Sequence, residues 1–143
     1  MKKIFLLCIV MSSLSMAGFS RTADKIVIDS NTTLQWQDNE LENSETEKSW
    51  ELAIDYCEDL VLGVYDDWRL PNIKELKSII ERTRVNPAID QDPAKFVWTA
   101  SGNPYWSSTT FSSNHAYAWA VFFNNGNSGD VAKTAVRFVR CVR

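Results

Sequence analysis

This chain has one histidine and five glycines among 143 residues, and each scarcity removes a class of function. A lone His115 cannot build a histidine metal centre, and no set of cysteines and histidines at metal-ligand spacing accompanies it. Glycine is too sparse for a phosphate-cradling loop or a dinucleotide fingerprint. No apolar run reaches the roughly 20 residues that a membrane-spanning helix needs. His115 follows Ser112 and Ser113, but closeness in sequence does not supply the geometry of a serine–histidine pair. No enzyme activity and no cofactor are therefore expected.

What is present begins at the N-terminus. Met1-Lys2-Lys3, the apolar Ile4 to Met11 and the small-x-small triplet Ser15-Met16-Ala17 have the order of a cleavable signal peptide, residues 1–17. Cys8 sits inside the apolar stretch behind a leucine, which is the wrong place for a lipidated cysteine. The expected mature chain, Gly18 to Arg143, suits one domain with one core, exported to the periplasm or the cell surface. Its charge is uneven. Gly18 to Leu70 carries 4 basic and 13 acidic residues, whereas Pro71 to Arg143 carries 9 basic and 5 acidic. A polyanion would have to use the C-terminal half, and the acidic balance does not point to nucleic acid. Cleavage leaves two cysteines, Cys57 and Cys141. An even pair in an oxidising compartment argues for a disulfide, with two buried free thiols as the alternative.

Along the chain, residues 18–24 read as a flexible polar lead-in. Lys25 to Ile28 and Thr32 to Trp36 flank the turn residues Asp29-Ser30-Asn31 and predict a hairpin. Asp38 to Glu47 reads as an acidic loop. From Ser49 to Leu62, the recurrence of Trp50, Ala53, Ile54, Cys57, Leu60 and Val61 predicts a helix with Cys57 facing inward, ended by Gly63. Asn72 and Glu75 have the spacing of a capping box for a second helix, which buries Ile73, Leu76, Ile79 and Ile80. Arg82 and Arg84 near its end suit the helix dipole. Tyr105 to Thr109 and Ala116 to Phe123 predict strands, the latter with Tyr117, Trp119, Val121 and Phe123 on one face. Asn124 to Asn127 signals a hairpin turn, and Ala135 to Arg143 is the last strand. A hairpin, two helices and then strands argue for an α+β domain.

Seven short blocks occur in order: Leu34-Gln35-Trp36-Gln37-Asp38; Trp50 with Ala53 and Tyr56-Cys57; Asp67-Trp68-Arg69-Leu70-Pro71; Glu75-Leu76; Tyr105 to Thr109; Ala118-Trp119; and Arg140-Cys141-Val142-Arg143. This series resembles the Lcl C-terminal domain family, a bacterial domain named from a collagen-like adhesin, across residues 25–143. The resemblance implies a C-type-lectin-like fold: two helices packed on a twisted, mostly antiparallel sheet. It also implies one disulfide joining the first helix to the last strand, the places of Cys57 and Cys141. For the adhesin it implies recognition of a surface glycan of the sulfated glycosaminoglycan type. This chain lacks the collagen-like Gly-x-y repeat of such an adhesin.

Such a fold places variable loops at Asp90 to His115 and at Asn124 to Asp130, which makes these the expected contact surface. Trp98 and Phe111 are its candidate stacking residues, with Asn114, His115, Asn125 and Asn127 as polar contacts. Lys133, Arg137 and Arg140 are candidates for a basic strip facing sulfated chains, whereas Trp50 and Trp119 read as core and Trp68 and Trp106 as structural. The Asp and Asn residues of the two loops read as caps and turns in preference to a calcium site. The expected function is a non-enzymatic binding module for a glycan or a surface protein. The alternatives are a periplasmic accessory protein that binds another protein, and a degenerate relative of the formylglycine-generating oxidases. Those oxidases use a reactive cysteine pair near the chain end, where this chain has Cys141 alone.

Overall fold

The computed structural model describes residues 18–39, 47–92, 95–96 and 103–143. Strands β1 (Phe19–Arg21), β2 (Ile26–Asp29) and β3 (Gln35–Gln37) form a small antiparallel sheet. Then come β4 (Glu47–Lys48), the helices α1 (Trp50–Glu58) and α2 (Ile73–Ser78), and strands β5 (Tyr105–Thr110), β6 (Tyr117–Phe122), β7 (Asn127–Ala132) and β8 (Arg137–Phe138). The second sheet has the order β4-β8-β5-β6-β7 and is antiparallel except where β5 runs parallel to β8. The molecule is α+β with two helices and two mostly antiparallel sheets, where a single sheet was expected.

Neighbouring residues of a strand point to opposite faces, and β5 shows why two helices are needed. Trp106 packs with Ala53 and Cys57 of α1, together with Ala118, Ala120 and Cys141. Tyr105, next to it, packs with Leu76 of α2 and with Val121, Phe123 and Val142. The large sheet therefore lies between α1 on one face and α2 on the other.

Cys57 and Cys141 form a disulfide, fully buried, with their Cα atoms 5.5 Å apart. The hairpin turn is held by Asp29, whose carboxylate accepts from the Asn31 N–H at 2.9 Å and the Thr32 hydroxyl at 2.6 Å. The capping box of α2 is complete. Asn72 accepts from the N–H groups of Lys74 and Glu75, and Glu75 accepts from the N–H of Asn72, all at 2.9 Å. Ile73 and Ile80 are partly buried beside the buried Leu76 and Ile79.

Several expectations need correction. The supposed lead-in contains β1, which pairs with β2 from Phe19 opposite Asp29 to Arg21 opposite Val27. Helix α1 stops at Glu58, so the 3.6-residue repeat no longer governs Val61, which is 69 % exposed. Gly63 lies beyond the helix, in a tight turn closed by the Leu62–Tyr65 bridge, at φ +64°. Arg82 and Arg84 also lie past their helix, and Lys77 is the cation of its last turn. On β6 the residues that fill the space beneath α1 are Ala118 and Ala120, while Tyr117 and Trp119 are only partly buried. Of the supposed acidic loop, Asp38 and Asn39 are buried, and residues 40–46 lie outside the described residues. The last strand is short, and Val136 is 51 % exposed. Beyond β8, Gln35 and Arg143 exchange backbone hydrogen bonds at 2.9 Å, and Val142 exchanges another pair with Arg69 at 2.9 Å.

Candidate functional site

Charged residues are used in two different ways. The first is internal, along a seam where the chain end is locked to β3 and to the Asp67–Pro71 segment. Arg140 is fully buried. Its guanidinium lies 3.5 Å from the Asp38 carboxylate and over the rings of Phe96 and Tyr105, at 4.9 and 5.7 Å. Asp38 also takes Arg21, at 3.0 Å. Burial removes Arg140 from any basic strip facing a ligand, because a cation enclosed among aromatic rings is closed to solvent and to other anions. Arg143 forks onto Asp67 at 2.5 and 3.1 Å and lies 3.6 Å from the Tyr65 ring centroid. That fork holds the Asp67 carboxyl below the usual carboxylate range. Arg69 and Glu75 make a second fork, at 2.7 and 2.8 Å, which lowers the Glu75 pKa. Trp68 and Leu70 between them are buried. Two of the seven blocks, Asp67 to Pro71 and Arg140 to Arg143, thus form one structural clasp.

The second use is at one end of the large sheet. The β5–β6 turn, the end of β7 and the start of α1 meet there. The Trp50 N–H donates to the Lys133 carbonyl at 3.0 Å, and the Lys133 N–H donates to the Ala116 carbonyl at 2.9 Å. Trp50 is fixed a second time by its indole N–H, which donates to the Ser107 carbonyl at 2.8 Å. Lys133 then lies with its ammonium 3.7 Å from the Trp50 ring centroid and donates to the Thr110 hydroxyl at 2.9 Å. A depression of about 320 Å³ beside it is lined by Ser49, Glu51, Lys133 and Thr134. Phe111 meets Trp119 edge-on, with ring centroids 5.4 Å apart. Asn114 shapes the turn by accepting from the Ala116 N–H at 3.1 Å, and both Asn114 and His115 are exposed. Chemically, this end offers an oriented cation, hydroxyls, one carboxylate and partly exposed aromatic rings.

The expected site residues therefore separate. Asn114, His115 and Lys133 come together at the β5–β6 turn, whereas Phe111 packs with Trp119 on the sheet face opposite the one that Lys133 and Trp50 share. Asn125 and Asn127 occupy the turn at the other end of β6, about 20 Å away at the rise of an extended strand. There the Asn125 side chain accepts from the Asn127 N–H at 3.0 Å. Gly126 has φ +74°, and a Cβ on it would lie 2.9 Å from Ile80, so this turn is packed against the body of the domain. Arg137 is partly buried and donates to the Val136 carbonyl at 2.6 Å. Trp98 lies outside the described residues. Sequence reasoning read Trp50 as core; it is partly buried against that core and its ring also carries the Lys133 ammonium, a contact that the apolar helical stripe does not signal. It missed Thr110 and Thr134 because they carry no local signal.

No helix among the described residues is long and apolar enough to cross a membrane. No curated protein matches the chain. The family model described as the Lcl C-terminal domain matches residues 25–143, nearly the whole chain and the same stretch that holds the clasp, the disulfide and the sheet end. On that match the chain belongs to the Lcl C-terminal domain family.

Proposed function

We propose that this protein is an exported, non-enzymatic binding module of C-type-lectin-like fold, and that its sheet end around Lys133 takes an anionic glycan of the sulfated glycosaminoglycan type. The observation that carries this reading is the position of Lys133. Its ammonium is held over Trp50 and beside the Thr110 hydroxyl, at the edge of an open depression. A sulfate can accept from the ammonium and from neighbouring hydroxyls. Export is supported by the signal-like N-terminus and by the disulfide, which persists in oxidising compartments.

The test is binding of the purified protein to an array of neutral, sialylated and sulfated glycans at low and high salt. Binding confined to sulfated chains, weakened by salt and lost in Lys133→Ala, is expected. Failure to bind any glycan, or binding indifferent to Lys133→Ala, overturns the reading. A second reading, a protein partner, is favoured by one feature: an apolar groove beside α1 in which Leu52 and Val61 are 57 % and 69 % exposed.

A further inference from the structure

Asn31-Thr32-Thr33 is an asparagine with a hydroxyl residue two places on, the acceptor pattern for N-linked sugar on exported chains. No other asparagine of the chain is followed two places on by serine or threonine. Asp29 stands two places before Asn31 and completes the longer acidic pattern, Asp/Glu-x-Asn-x-Ser/Thr, of bacterial acceptors. Such a pattern carries no meaning where it is buried or built into a strand. Here Asn31 to Thr33 occupy the hairpin loop between β2 and β3.

Ser30, Asn31, Thr32 and Thr33 are all exposed. The loop is closed by the backbone: the Thr33 N–H donates to the Asp29 carbonyl at 2.8 Å, and the Asp29 N–H donates to the Leu34 carbonyl at 2.9 Å. Asn31 is held through its main chain, whose N–H donates to the Asp29 carboxylate at 2.9 Å, while its side-chain amide has no partner among the described residues. The loop therefore asks nothing of the amide nitrogen, and a sugar on it displaces no described contact. Thr33 takes φ +63°, uncommon for a β-branched residue, and its exposed hydroxyl donates to the neighbouring Thr32 carbonyl at 2.6 Å. Asp29 is buried, and its carboxylate also accepts from the Thr32 hydroxyl. An enzyme that reads this acid does so before β2 and β3 close, on the newly exported chain.

We propose that Asn31 is a glycosylation site, and that its donor is an oligosaccharide carried on a lipid pyrophosphate. The anomeric carbon of the sugar forms a bond to the Asn31 Nδ2, and its bond to the pyrophosphate oxygen breaks. The lipid pyrophosphate leaves with that electron pair, and one of the two Nδ2 protons passes to a base of the transferase and then to water. No oxidant or reductant is needed. An amide nitrogen is a weak nucleophile, so the step belongs to a separate transferase for which this chain is the acceptor. Transfer takes place outside the cytoplasm, so the proposal rests on the export reading and is independent of what binds at Lys133.

Mass spectrometry of the protein purified from the cells that make it tests the proposal. Trypsin cuts after Lys25 and Lys48, so the single peptide Ile26 to Lys48 carries Asn31. The intact chain from Gly18 should exceed the mass of its residues by that of a discrete oligosaccharide, and fragmentation of the peptide should place the sugar on Asn31. Made in the same cells, Asn31→Gln and Thr33→Ala should each lose the sugar, and Thr33→Ser, which keeps the hydroxyl, should retain it. The near-ultraviolet dichroism of the variants should match that of the native protein, since the exposed loop side chains are the only ones changed. A chain that begins at Gly18 with an unmodified Asn31 overturns the proposal and leaves export standing. A chain that keeps residues 1–17 and carries no sugar overturns both. A sugar on another residue, or one that survives Thr33→Ala, also overturns it, because recognition would then not run through this pattern.

Discussion

Arg140 and Lys133 belong to the same C-terminal stretch, and both lie against aromatic rings, yet the molecule uses them in opposite ways. Arg140 is enclosed, with Asp38 as counterion and Phe96 and Tyr105 as walls. Lys133 is held over Trp50 at the edge of an open depression, with a neutral hydroxyl as its polar partner. A buried cation without its carboxylate is costly, so Arg140 is committed to the fold. Lys133 forms no ion pair with a described residue, so its charge remains available to an anion from outside. The clasp holds the domain together, and the sheet end is the part free to act.

The largest effect that sharpens this contrast is at the disulfide. Cys57–Cys141 closes a loop spanning 84 residues and ties α1 to the segment that carries Arg140. In the chain-entropy model such a link is worth about 4–5 kcal/mol. Cys57→Ala should lower the unfolding free energy in urea by several kcal/mol, whereas His115→Ala in the exposed turn should change it by less than about 0.5 kcal/mol. Equal effects at the two positions would erase the distinction between clasp and sheet end.

Next in size is the buried ion pair. Asp38→Ala removes the carboxylate facing Arg140 and should cost about 3–5 kcal/mol, the range for leaving a buried charge without its partner. Adding Arg140→Met to that variant should recover part of the loss, because an apolar side chain of similar length no longer needs a counterion. Chemical denaturation of the three proteins makes the comparison. A double variant no more stable than Asp38→Ala would mean that the Arg21 contact with Asp38, and not burial of Arg140, dominates the loss.

The parts of the clasp that could be read in the sequence are local or paired by chemistry. The Asn72–Glu75 box needs only a spacing of three, and Cys57 with Cys141 needs only an even count in an oxidising compartment. The burial of Arg140 was hidden because its partner, Asp38, is far upstream and an arginine in a terminal strand reads as a solvated edge. Trp119 shows a second limit. Alternation on β6 reveals two faces but not which is deeper, and here both faces of the sheet are covered. Alanines fit beneath α1, and the tryptophan is left partly exposed beside Phe111. The Lys133 end was only half visible. Its loop residues were legible as a turn, but Trp50 reaches Lys133 through a tertiary contact between the start of α1 and the end of β7.

The smallest effect lies at the edge of the clasp, where Glu75 joins the cap of α2 to Arg69. The Arg69 hydrogen bonds, with the Asn72 N–H behind them, hold the Glu75 pKa below its ordinary value against a partial desolvation that raises it. With the folded pKa depressed, the stabilisation is fully present above the unfolded value of about 4.3 and is lost as pH falls through the lower folded value. Glu75→Gln keeps a side chain able to accept from the Asn72 N–H but removes the charge. The pair is substantially solvated, so the loss at neutral pH should be within about 1 kcal/mol. The more telling readout is the acid limb. Unfolding free energy measured from neutral pH down through the carboxylate range should fall less steeply in the variant than in the native protein. Parallel acid limbs would mean that Arg69 and Glu75 meet without contributing to stability, and that the clasp rests on Asp38, Arg140 and the disulfide.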